Sequence, residues 1–222
     1  MATHTSNTEQ DRFRTFGRVK GRTLTVSQRA VMDAHWDRLS IAPGDTLPPA
    51  PLWLEIGYGM AHHVLHLAET HPDASIIGAE PFLNGTAKAV RGIVDAGLSN
   101  LRLFQGDVRE LMAAIPDGCL QRAFILFPDP WPKSRHNKRR LIRSAFVTEL
   151  HRVLAPGGTV MFASDIDHYV DWALVRFRRH GGWAWDAGAD PTQTPPGWPG
   201  TKFEAKARRE GRTPRWFTFT RT

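Results

Sequence analysis

The 222-residue chain has a single cysteine, Cys119. That excludes an internal disulfide and any zinc site built from several thiolates. No apolar run approaches the roughly 20 residues of a membrane-spanning helix, and the first residues lack the apolar core of a secretory signal. The cytoplasm is therefore the expected compartment, and no membrane contact is expected. No internal repeat is present. Acidic residues are outnumbered, 22 against 29 Lys and Arg, which leaves a net charge of +7. A basic excess of that size favours a polyanionic partner, nucleic acid first. His62 and His66 have i, i+4 spacing, but no Glu stands between them in a His-Glu-x-x-His pattern and no third ligand follows. No metal is expected. Ser134 and Ser164 lack a nucleophile-elbow context, so hydrolase chemistry is unsupported.

The chain is long enough to bury one good core. Residues 1–22 read as a polar, basic, flexible arm with too little apolar surface to fold alone. Residues 23–222 read as one domain. A helix is predicted over Val26 to Leu39, then a linker from Pro43 to Pro51. Buried strands are predicted at Leu52–Ile56, Ala74–Ala79, Leu101–Gln105, Ala123–Phe127 and Thr159–Ala163, with a last strand at Trp216–Thr220. Helices are predicted between them at His62–Thr70, Leu83–Ala96, from Val108, at Arg139–Leu154 and at Asp167–Arg179. Strands alternating with helices imply a parallel sheet with right-handed crossovers. Such sheets bind ligands outside the carboxyl ends of their strands.

At or just past five successive strand ends stand Glu55, Glu80, Asp107, Asp129 and Asp165. A lone acid there is usually a helix cap, and Asp107 fits that reading too. Gly57 and Gly59 permit close backbone approach to a ligand. Glu80 sits where an acid commonly holds ribose hydroxyls. A nicotinamide dinucleotide and S-adenosyl-L-methionine both fit so far. A pyrophosphate wants Gly-x-Gly-x-x-Gly, but His62 occupies the third glycine position, and a carboxylate at Glu55 gives a pyrophosphate nothing. A sulfonium and an ammonium suit the carboxylates, which favours S-adenosyl-L-methionine.

The string from Phe127 to Arg140 is the most informative. Pro128, Pro130 and Pro132 cannot continue a central strand and stiffen the backbone beyond it. That rigid mount carries Asp129 and Trp131, the latter suited equally to base stacking and to core packing. Lys133, Arg135, Lys138, Arg139 and Arg140 follow. Arg135, Lys138, Arg139 and Arg140 are expected to neutralise RNA phosphates, although a basic run is often only a solvated helix start.

These residues resemble the bacterial tRNA (guanine-N7-)-methyltransferases of the TrmB type. The likeness is carried by Leu54-Glu55-Ile56-Gly57-Tyr58-Gly59-Met60, Ile77-Gly78-Ala79-Glu80, Gly106-Asp107, the Phe127–Arg140 string, Ala163-Ser164-Asp165 with Tyr169, and Thr201-Lys202-Phe203-Glu204. Residues 16–28 of the arm are similar too, so it spans nearly the whole chain. The resemblance implies a Rossmann-like class I methyltransferase fold, an α/β fold with a mixed seven-stranded sheet and helices on both faces. It implies cofactor contacts at Glu55, Glu80, Asp107 and Asp129, with Asp129 also catalytic. It implies substrate contacts at Lys133, Asp165, Thr201, Lys202, Phe203 and Glu204, and as acceptor the variable-loop guanine, position 46 of tRNA. No obligate protein partner is implied; monomer and homodimer both stay open. Ala61 departs from the family pattern, which has a glycine there. Two other classes compete: a non-catalytic RNA-binding protein on the same fold, and a nicotinamide-dependent oxidoreductase.

Overall fold

The computed structural model describes residues 15–19 and 21–222; most of the expected arm lies outside them. The chain runs α1 (Val26–Leu39), β1 (Leu52–Ile56), α2 (His62–Thr70), β2 (Ser75–Ala79), α3 (Leu83–Ala96), β3 (Leu101–Phe104), α4 (Val108–Ala114), β4 (Leu120–Leu126), α5 (Ser144–Val153), β5 (Leu154–Ser164), α6 (Asp167–His180), β6 (Trp183–Trp185), α7 (Lys202–Arg209) and β7 (Arg215–Arg221). A 3-10 turn, Ser134–Arg139, lies between β4 and α5. The sheet order is β3-β2-β1-β4-β5-β7-β6. The first five strands are parallel, and β7 runs antiparallel to β5 and β6.

The inner strands are apolar on both faces because both are covered. β1 is buried along its whole length. One side packs with α4, α5 and α6 through Leu111, Phe146, Leu150 and Phe177. The other packs with α1, α2 and α3 through Leu39, Val64, Val90 and Ile93. Strand order reverses between β1 and β4, so their carboxyl ends splay their loops apart. Asp107, Glu80, Asp129 and Asp165 follow β3, β2, β4 and β5, and Glu55 is the penultimate residue of β1, so the five acids span five adjacent strands. The crevice at that reversal is where such sheets take ligands.

Three local expectations change. The helix predicted over Arg139–Leu154 starts only at Ser144. Residues 140–143 are non-helical instead, because α6 claims their backbone: Ile142 N–H donates to the Tyr169 hydroxyl at 3.4 Å, and Trp172 Nε1 donates to the Ile142 carbonyl at 2.6 Å. The fifth strand begins at Leu154 and runs through Pro156-Gly157-Gly158, with a register shift against β4 between Leu120 and Arg122. The third concerns α7, which occupies a stretch that reads as loop. Its start was legible, since Thr201-Lys202-Phe203-Glu204 has the Thr-x-x-Glu form of a capped helix N-terminus. The Thr201 hydroxyl accepts from Glu204 N–H at 3.0 Å. β6, only three residues long, has too little periodicity to announce itself.

Candidate active site

The turn after β1 sets the site's geometry. Gly57, Gly59 and Ala61 all adopt positive φ, at 75°, 54° and 65°. Ala61 thus takes a left-handed conformation that favours glycine. Glu80 reaches across to fix this turn. Its Oε2 accepts from Gly59 N–H at 2.7 Å and its Oε1 from Phe82 N–H at 2.9 Å. Each oxygen keeps a second lone pair for a ligand hydroxyl. Burial raises the Glu80 pKa above the usual carboxylate range; these two N–H groups oppose the rise, and Asp129 and Glu55 add to it.

A cavity of about 390 Å³ opens beside the turn, lined by Gly57, Gly59, Glu80, Asp107, Asp129 and Trp131 among others. Asp107 caps α4 through Arg109 N–H at 3.0 Å and pairs with the Arg109 guanidinium at 2.6 Å. It therefore serves as the cap and still borders the cavity. Asp129 differs from the other two. Among the described residues its carboxylate has no hydrogen-bond partner; the residue is solvent-exposed, and partial desolvation by the cavity walls beside it raises its pKa. Its mount is strained on both sides, with Phe127 at φ 50° and Trp131 at φ 41°. Non-glycine residues hold such angles only where the surroundings dictate them.

Arg140 holds the Trp131 side of the mount, while Phe127 N–H donates to the Ala163 carbonyl at 2.8 Å. Arg140 was expected on RNA phosphates, yet it is 5% exposed. Its Nε donates to the Pro130 carbonyl at 2.9 Å and its Nη2 to the Trp131 carbonyl at 3.2 Å. Its guanidinium lies 4.5 Å from the Trp172 ring centre. Charge counting along a sequence cannot tell a buried clamp from a solvated cation. Replacing Arg140 by Ala strands two carbonyls beside a cavity. We expect a loss of about 2–4 kcal/mol in stability and a collapse of activity; Lys should rescue little, because it lacks the planar fork. Thermal melts with activity assays check this.

Arg139 also turns inward. Its guanidinium sits 4.9 Å from the Trp131 ring and 5.4 Å from Phe16, and its Nε is buried without a partner among the described residues. Trp131 lines the cavity and meets His136 edge-on at 5.7 Å, so it is not a core residue. Lys133, Arg135 and Lys138 are exposed, and of these Lys138 borders the cavity. The described part of the arm forms the rim: Thr15, Phe16, Gly17 and Arg18 line the cavity, Arg18 lies over Phe82, and Leu83 N–H donates to the Val19 carbonyl at 3.2 Å.

A second cavity, about 280 Å³, shares Gly57, Met60, Phe127 and Phe203 with the first. Glu55 faces this one rather than the first, and His63 Nδ1 bonds its Oε2 at 2.7 Å. Thr201, Lys202 and Phe203 line it too. Glu204 turns away from both: Trp198 Nε1 donates to it at 2.5 Å and Arg208 Nε at 2.9 Å. It anchors α7 rather than lining a cavity. Asp165 lines neither cavity and is neutralised by Arg212 at 2.5 Å. Sequence reading missed His63 and Trp198, whose rings lie 5.0 Å apart and tie β1's acid to α7. A buried histidine eight residues from a strand acid was the one available signal.

A cavity crowded with carboxylates, one unpartnered, fits a cationic ligand with ribose hydroxyls. The profile of the family described as "Putative methyltransferase" matches residues 49–215. The chain is 44% identical over 216 residues to a tRNA (guanine-N(7)-)-methyltransferase of Rhizobium johnstonii, covering 92% of this chain and 93% of that protein. It is 40% identical over 229 residues to one of Rhodospirillum rubrum, covering 96% and 89%. The solved structure of the 16S rRNA methyltransferase KamB superposes with a TM-score of 0.56 at 16% identity, over 92% of this chain and 99% of that one. This likeness shows the fold, a Rossmann-like class I methyltransferase. The chain belongs to the bacterial tRNA (guanine-N(7)-)-methyltransferase family, the TrmB type.

Proposed function

We propose that the chain methylates N7 of the variable-loop guanine, position 46 of tRNA, with S-adenosyl-L-methionine as donor, and that Asp129 holds the base. The cofactor supplies an electrophilic methyl group on a sulfonium. Glu80, pinned by Gly59 and Phe82, offers its remaining lone pairs to ribose hydroxyls. Asp107 borders the same cavity, and Glu55 reaches the donor's charged end from the second cavity, across Gly57.

Guanine N7 carries a free lone pair at neutral pH, so no base has to deprotonate it. Catalysis then rests on orientation and electrostatics. Guanine's hydrogen-bond donors are N1–H and the N2 amino group. A carboxylate at Asp129 accepts from that edge and offsets the positive charge the ring gains. The observation that carries this reading is the unpartnered Asp129 on its strained mount. Phe203, which borders both cavities, provides an apolar wall, while Asp165 and Glu204 act through Arg212 and α7.

The test uses methyl-labelled S-adenosyl-L-methionine, unmodified tRNA and chain cleavage at 7-methylguanosine. Cleavage at position 46 is expected. Label in tRNA without cleavage would place the methyl on another atom. No label at all would leave an RNA-binding protein on a methyltransferase fold.

A further inference from the structure

Three helices bring cations together away from the basic turn. Lys88 on α3, His62 at the start of α2 and Lys202 at the start of α7 converge beside the second cavity. Lys88 Nζ donates to His62 Nε2 at 3.2 Å. That contact needs a neutral nitrogen, and His62's pKa is lowered, first by burial and then by Lys88 and Lys202. Burial and Lys202 also lower that of Lys88. Lys206, one turn along α7, borders the same cavity, and its only ion pair among the described residues is Glu210 at 3.9 Å. Among the described residues no carboxylate pairs with His62, Lys88 or Lys202. Glu55, the acid of the second cavity, is taken by His63. Lysines on an ordinary surface splay apart. Here Lys88 is half-buried and pinned, so the repulsion is built in and an anion relieves it.

We propose that Lys88, Lys202 and Lys206, organised around His62, bind a phosphodiester of the tRNA backbone at the mouth of the second cavity. The proposal rests on tRNA being the substrate. The turn Ser134–Arg139 borders the first cavity, so the strand carrying the target guanosine is gripped on both sides. A second source of anion is the carboxylate of the donor's methionine end. Lys88 lines neither cavity, which favours RNA.

The experiment measures the affinity of the full chain for an unmodified tRNA transcript by fluorescence anisotropy over a range of salt, with Lys88→Ala/Lys206→Ala against wild type. Each phosphate neutralised contributes about one unit to the slope of log Kd against log salt. The double variant is expected to bind tRNA about tenfold more weakly, with a slope smaller by about one. Calorimetry is expected to give an unchanged Kd for S-adenosyl-L-methionine. Lys88→Arg/Lys206→Arg should restore tRNA affinity. An unchanged slope, or weakened donor binding with unchanged tRNA binding, overturns the site. Failure of the wild type to bind tRNA overturns the substrate reading along with it.

Discussion

Asp129→Ala is expected to lower kcat by about a thousandfold, the scale of losing one preorganised electrostatic contact to a transition state. The affinity for tRNA should barely move. In the proposed arrangement the carboxylate meets one base, whereas RNA affinity is dominated by phosphate contacts assigned to the basic turn and α7. Asp129→Asn separates shape from charge. It keeps a carbonyl acceptor for the guanine edge but cannot offset the cationic ring, so it should recover only part of the loss. The pH profile gives a second readout. Partial desolvation by the cavity walls raises the pKa of this exposed carboxylate. The active form is the carboxylate, so the rate should fall as pH drops through that raised value, with an acid limb above the ordinary aspartate range. In Asp129→Asn this limb should vanish. Wild-type turnover by Asp129→Ala would assign the strained loop a purely structural role.

Gly85→Ala is expected to disable donor binding although residue 85 touches no ligand. A Cβ at Gly85 would stand 2.0 Å from the Gly59 carbonyl oxygen and 3.1 Å from its carbon. Both are backbone atoms, so neither can swing aside. α3 or the glycine turn must move, and the turn is held by the Gly59 N–H bond to Glu80. Overpacking of this kind costs about 1–3 kcal/mol, which for a chain of this size lowers Tm by roughly 2–12 °C. The Kd for S-adenosyl-L-methionine should rise by at least about tenfold, since the displaced turn misdirects Glu80. Gly97→Ala is the control. It substitutes the positive-φ glycine that caps α3, and nothing lies within 4 Å of its Cβ position. It should lower stability by about 1 kcal/mol and leave donor affinity alone.

The contrast between these two residues says what the sequence could reveal. Asp129 was legible because its signal is local: an apolar run, then prolines that fix where the acid stands. The row of strand-end acids was legible for the same reason, since strand ends follow from composition and turn residues. Gly85 was not, because its role comes from a helix and a turn 26 residues earlier meeting at one carbonyl. Arg140 misled for a related reason. Charge is written in the sequence, but burial against Trp172 and the loop carbonyls is a property of packing. Glu55 was placed correctly at its strand end, yet its side chain points into the second cavity toward His63. Strand alternation gives the face, and only the fold gives the neighbour.

The most direct test replaces the target guanosine by 7-deazaguanosine in a single-turnover reaction with methyl-labelled S-adenosyl-L-methionine. That base keeps the N1–H and N2 edge that Asp129 is expected to hold, but it lacks the N7 lone pair. Binding equal to that of the natural transcript, with no methyl transferred, is the expected result. Methyl transfer to the 7-deaza transcript would show that the nucleophile is another atom and that the base is held the wrong way round in this account.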